Sequence, residues 1–200
     1  KTTTAIHLAS CLAALGRRTL LVDLDPQGHS TLGLGVQPPA PERSLARVLS
    51  RSGLDEDTVP LRAVFVEAGG GLLLAPTGAE LAELEPTLAR TAGGEERLSE
   101  HLSPLAHEMD YAIIDAPPSL GMLTLNALMA ADEAVVPVEP SLYSLHGLAR
   151  LTELMRLLTG RSQHQIRLRI LVNAFDGRSR FARETLAEIR RAFPGDTLDT

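Results

Sequence analysis

Short apolar runs that stop on a polar side chain constrain this chain most. Residues 19–23 read TLLVD, residues 111–115 read YAIID and residues 170–173 read ILVN, with AVVPV at 134–138 as a further apolar run. Short, nearly continuous apolar runs bounded by turn formers are the pattern of strands buried on both faces. Strands are also expected at 64–67 and 72–75, on either side of Gly69, Gly70 and Gly71. Between the runs, apolar residues recur at i, i+3 and i+4, which predicts helices over 2–15, 79–88, 95–107, 120–130, 145–158 and 180–193. Gly16 supplies a stop for the first helix, and Ser44 is placed to cap a short one running to Ser50. Residues 26–41, rich in Gly and Pro, are expected to form a long loop. Strands alternating with helices predict an α/β fold, a mostly parallel sheet with helices on both faces. In such sheets ligands bind beyond the carboxyl ends of the strands. Asp23, Asp115 and Asn173 fall at that edge.

The bulk numbers narrow the class. The 200 residues suit a single domain with a substantial core, built from aliphatics because aromatics make up only 3%. A net charge of -6 excludes a generally basic nucleic-acid binder but leaves room for a local patch. The single cysteine, Cys11, excludes an internal disulfide and a Cys-rich metal site; within its helix it is expected to be a small buried residue. No apolar run reaches the roughly 18–20 residues of a membrane span, and a reducing, cytoplasmic setting is expected.

Three motifs carry chemistry. Lys1-Thr2-Thr3-Thr4 opens a helix, as the last positions of a phosphate-binding loop do: helix-terminal N–H groups cradle phosphates, the lysine reaches the outer ones, and the next hydroxyl binds Mg²⁺. Lys1 is the only lysine of the chain; every other cation is Arg, which does not replace a compact ammonium. The second motif is VDLDPQG at 22–28, where Asp23 and Asp25 stand at i and i+2 of a strand end and point the same way. Two such acids together are costly unless a cation or a reacting water lies between them. A run of Gly28, Ser30, Thr31, Gly33 and Gly35 follows, a loop able to move when a phosphate arrives. The third is YAIIDAPPS at 111–119, an apolar strand closing on Asp115 before a stiff double proline. An acid so placed can hold Mg²⁺ directly or through water.

Taken in order, KTTTAIHLA at 1–9, LLVDLDPQG at 20–28, DYAIIDAPPSLGMLTLNAL at 110–128, AVVPVEPSLYSLHGL at 134–148 and ILVNAFDGRSR at 170–180 resemble the ParA-type partition ATPases. These belong to the deviant-Walker-A group of P-loop proteins, with MinD and the nitrogenase iron protein. The resemblance implies a three-layer P-loop fold, ATP and Mg²⁺ as ligands, and slow hydrolysis by an ATP-dependent homodimer. It implies that Lys1 and Thr3 face phosphate, that Thr2 binds Mg²⁺, and that Asp25 positions the attacking water with Asp23 in support. Asp115 becomes the Walker-B acid, supporting Mg²⁺. Pro26, Gln27 and Gly28 become one switch and Ala116, Pro117 and Pro118 another, while Asn173 would contact adenine. A lone cysteine disfavours the iron-protein branch. The family carries a K-G-G-x-G segment just before the position of Lys1, so the chain is expected to be one P-loop domain, incomplete at both ends. By itself it is expected to bind ATP poorly.

Partners follow from the same resemblance: nonspecific DNA, a centromere-binding ParB-like protein and no membrane, with nucleoid association in the cytoplasm. Charge is uneven in a compatible way, since residues 161–200 carry net +3 and residues 1–160 net -9. Arg178, Arg180 and Arg183 are the candidate DNA contacts. A membrane-bound MinD-like positioning ATPase and a non-hydrolysing scaffold are the competing readings.

Overall fold

The computed structural model describes residues 1–161 and 164–199, without the side chains of 142–145 and 159–161. These residues form two compact units, Lys1–Ala130 and Ala131–Thr200.

In the first unit the order is α1 (Thr2–Ala14), β1 (Thr19–Asp23), α2 (His29–Gly33), α3 (Leu45–Leu49), β2 (Val66–Glu67), β3 (Leu72–Ala75), α4 (Glu80–Leu88), α5 (Arg97–Leu102), β4 (Tyr111–Asp115) and α6 (Met122–Ala130). Its sheet runs β2-β3-β1-β4. Strand β1 is parallel to both neighbours, β3 and β4, while β2 returns antiparallel on β3. All five residues of β1 are buried, as an apolar run at a sheet centre must be. Successive side chains of a strand point to opposite faces, and β1 shows it. Leu21 packs in the layer of α1 with Leu72 and Leu74, whereas Leu20 and Val22 pack in the other layer with Leu45, Leu81, Leu98 and Leu123. Helices therefore cover both faces of a mostly parallel sheet, and the fold is α/β.

The second unit contains β5 (Glu133–Val138), α7 (Leu142–Arg161), β6 (Arg167–Val172) and α8 (Arg180–Ala192). Strands β5 and β6 pair in parallel. Val138, Leu148, Ile170, Val172 and Ile189 form its core. The helix expected over 145–158 is longer at both ends, and the side chain of Leu145 lies outside the described ones.

Several expectations need correction. The segment 26–41 is not all loop, because His29–Gly33 closes into a turn of helix. Val64 belongs to a 3-10 turn, and β2 is only Val66–Glu67. Cys11 is exposed, not buried. Helix α1 meets the sheet through Ala5, Ala9 and Ala13, one narrow stripe of small side chains at i, i+4 and i+8. Cys11 lies two positions from Ala9 and Ala13, about 200° around the helix, so it faces away. Leu8 and Leu15, apolar residues of the helix expected over 2–15, are 39% and 77% exposed. Gly16 ends this helix as expected, in the left-handed conformation (φ 76) that glycine adopts without strain.

Candidate functional site

The register of the central sheet brings the acids together. Asp23 and Asp115 are direct partners across the β1–β4 pair, both at the carboxyl end. Both are almost wholly buried, and Asp25, two residues on, is 7% exposed. Buried carboxylates need hydrogen-bond donors, and helix α2 supplies them. Ser30 Oγ donates to Asp115 Oδ2 at 2.7 Å. Thr31 donates to Asp23 Oδ2 twice, from its amide at 2.7 Å and from Oγ1 at 2.6 Å. The Thr77 amide, beyond β3, donates to Thr31 Oγ1 at 3.2 Å. Asp25 Oδ1 accepts from the Gln27 amide at 3.0 Å, and its carbonyl accepts from the Gly28 amide at 2.9 Å. Asp25, Pro26, Gln27 and Gly28 thus form a tight turn leading straight into α2. Gly28 sits at φ 65, a conformation that favours glycine, and a Cβ there would lie 3.3 Å from the Thr77 methyl.

Asp23 Oδ1 has no hydrogen-bond partner among the described residues. Burial pushes the Asp23 carboxyl up to about 6; the two bonds from Thr31 and, least of all, the nearby Asp25 amide pull it back, and the charge of Asp115 adds to the rise. An acid under that strain, with one oxygen unused, is suited to a cation or a shared proton. Among the described residues no group of three or more His, Cys, Asp and Glu side chains could hold a metal unaided.

Lys1 reaches the same edge. It is the N-cap of α1, and its Nζ donates to the Pro117 carbonyl at 3.4 Å, two residues beyond Asp115. The first turn of α1 contains Thr2 and Thr3, carries no acid, and has no side-chain cap on its amides. An uncapped helix start of this kind attracts an anion. Ala116, Pro117 and Pro118 form the connection from β4 toward α6. Lys1, Asp23, Asp25 and Asp115 are therefore neighbours at one sheet edge. Asn173 lies in the second unit, just past β6, exposed, with its amide bonded to the Val138 carbonyl at 2.8 Å. Arg178, Arg180 and Arg183 are also exposed there. Arg178 pairs with Asp176, Arg180 pairs with Glu184, and Arg183 donates to the Gly177 carbonyl.

The sequence reading put Ser30 and Thr31 in a mobile loop and did not see them as the donors to Asp115 and Asp23. The available signal was two adjacent hydroxyls shortly after two buried acids that need partners.

The fold is that of a P-loop NTPase. A family model described as an AAA domain matches residues 1–168. Sporulation initiation inhibitor protein Soj of Bacillus subtilis is 37% identical over 195 residues, covering 96% of this chain and 75% of that protein. Chromosome partitioning protein ParA of Myxococcus xanthus is 38% identical over 195 residues, 96% of this chain and 67% of that one. The crystal structure of cobyrinic acid a,c-diamide synthase from Mycobacterium smegmatis with bound ADP and magnesium matches with a TM-score of 0.85 at 33% identity. It covers 96% of this chain and 77% of that one. The chain belongs to the AAA domain family and, within it, to the ParA-type partition ATPases.

Proposed function

We propose that this chain binds ATP with Mg²⁺ at the carboxyl edge of β1 and β4, dimerises around the nucleotide and hydrolyses it slowly as a partition switch. One observation carries the reading: Asp23 and Asp115 are paired in register, buried, and flanked by the sole lysine at an uncapped helix start. Mg²⁺ fits the donor set, because the unpartnered Asp23 Oδ1 and the Asp115 carboxylate supply anionic oxygens, and Thr2 at the start of α1 carries a hydroxyl. Bound there, the ion neutralises phosphate charge.

The residues of the chain do the rest. Lys1 and the amides from Thr2 and Thr3 bind the phosphate oxygens. Asp115 and Thr2 hold the ion, and Asp23 supports it. Asp25, fixed by the Gln27 amide, orients the attacking water and accepts its proton during transfer of the phosphoryl group to water. The turn at Pro26, Gln27 and Gly28 and the loop at Ala116, Pro117 and Pro118 respond to the outer phosphate. Asn173 is the candidate adenine contact. The ATP-bound dimer binds DNA without sequence preference through Arg178, Arg180 and Arg183, and a centromere-binding partner of the ParB type stimulates turnover. Its kinship with the partition ATPases supports work in the cytoplasm on the nucleoid.

The test replaces Asp25 with Ala in the full-length protein. Turnover should fall by about two orders of magnitude or more while ATP affinity stays within about threefold. A non-hydrolysing scaffold would show no turnover to lose.

A further inference from the structure

Helix α2 joins two parts of the site. Adjacent residues of a helix point about 100° apart, and Ser30 and Thr31 use that angle to reach acids on two neighbouring strands. Both hydroxyls are completely buried, each against a carboxylate. Such charge-assisted bonds are short and directional. The helix begins at Gly28, whose amide is bonded back to Asp25. Asp115 is thus tied to Ser30, and Ser30 follows the Asp25 turn by two residues. A side chain without a hydroxyl at this position would break that tie.

We infer that Ser30 is a positioning residue that couples the metal requirement to the placement of Asp25. This rests on the reading of the site given above and adds a chain of command within it. Ser30 holds the Asp115 carboxylate by Oδ2 and fixes its orientation. When a cation engages Asp115, the shift of that carboxylate passes through Ser30 Oγ to α2 and the Asp25 turn. Thr31 and the Thr77 amide tie the same helix to Asp23 and to the end of β3, and Ser30 is the one residue of α2 bonded to Asp115 among the described residues.

The experiment compares the full-length protein with its Ser30→Ala and Ser30→Thr variants. Hydrolysis is measured against Mg²⁺ concentration at saturating ATP and against ATP at saturating Mg²⁺, and the affinity for a non-hydrolysable ATP analogue is measured with and without Mg²⁺. Ser30→Ala should raise the half-saturating Mg²⁺ concentration about fivefold, lower kcat about tenfold and leave KM for ATP within about twofold. It should also shrink the gain in analogue affinity that Mg²⁺ gives. Ser30→Thr keeps the hydroxyl and should restore the Mg²⁺ dependence. A Ser30→Ala protein with native Mg²⁺ half-saturation overturns the inference, whether its kcat is unchanged or falls together with its Tm. In that case normal turnover of the native protein leaves the broader reading standing. No turnover by the native protein with its partner and DNA sinks that reading, and this inference with it.

Discussion

The acids that end β1 and β4 and the arginines of α8 are both clusters of charge, yet they sit in opposite surroundings. Asp23 and Asp115 are 0% and 2% exposed, held by hydroxyls and an amide from one short helix. Arg180 is paired with Glu184 at 2.7 Å, but their side chains are 85% and 59% exposed. Water and salt screen the second pair almost completely, and the first pair very little. Charge in β1 and β4 is therefore expensive and tied to chemistry. Charge on α8 costs little and is free to meet a polyanion.

That contrast can be broken at several points. The largest effect is expected beneath the acids. Leu20→Ala opens a cavity in the fully buried layer under β1, and chemical denaturation should show a loss of about 3 kcal/mol. A loss below about 1 kcal/mol would mean that the sheet does not hold the acids rigidly.

The next concerns Asp23 itself. Its folded-state value, pushed up to about 6, lies above the ordinary 3.8, so the folded chain binds this proton more tightly than the unfolded chain. Its contribution to stability is full below about pH 4 and is lost as pH rises to about 6, by up to roughly 3 kcal/mol without nucleotide. Stability curves of the native protein and Asp23→Asn should diverge across that window and run parallel above it. Curves parallel throughout would show that Asp23 is not strained.

The smallest stability effect belongs to α8. Arg180→Ala should leave Tm unchanged within error, because the pair it breaks is solvated. Reversing charge with Arg180→Glu and Arg183→Glu should weaken retention on nonspecific DNA several-fold at low salt, with a shallower salt dependence. Unchanged retention would remove this patch from the account.

How much of this was legible follows from where each signal resides. The limits of β1 and β4 were readable to the residue, because an apolar run closing on an acid marks both the strand and its end, but burial on both faces holds only for β1: Tyr111 and Ala112 of β4 are exposed. The edge rule for parallel sheets pointed to Asp23, Asp115 and Asn173, whereas Lys1 and Asp25 were legible from the phosphate-loop and paired-acid motifs. Helix α2 was hidden by glycines at Gly28, Gly33 and Gly35, and by a partner for Ser30 that is 85 residues away. No local pattern reports a bond of that span. The face of α1 was misjudged for a different reason. Periodicity marks every apolar residue on a helix, but the sheet takes only the small stripe of Ala5, Ala9 and Ala13, leaving Leu8 and Cys11 outside.

The central claim is that one lysine and the strand-end acids share a phosphate site. Titration of the full-length protein and its Lys1→Ala variant with ATP, in the presence and absence of Mg²⁺, tests it most directly. The account predicts that Lys1→Ala weakens Mg-ATP binding at least about tenfold, roughly 1.4 kcal/mol, without lowering Tm. Equal affinity in the two proteins would contradict it.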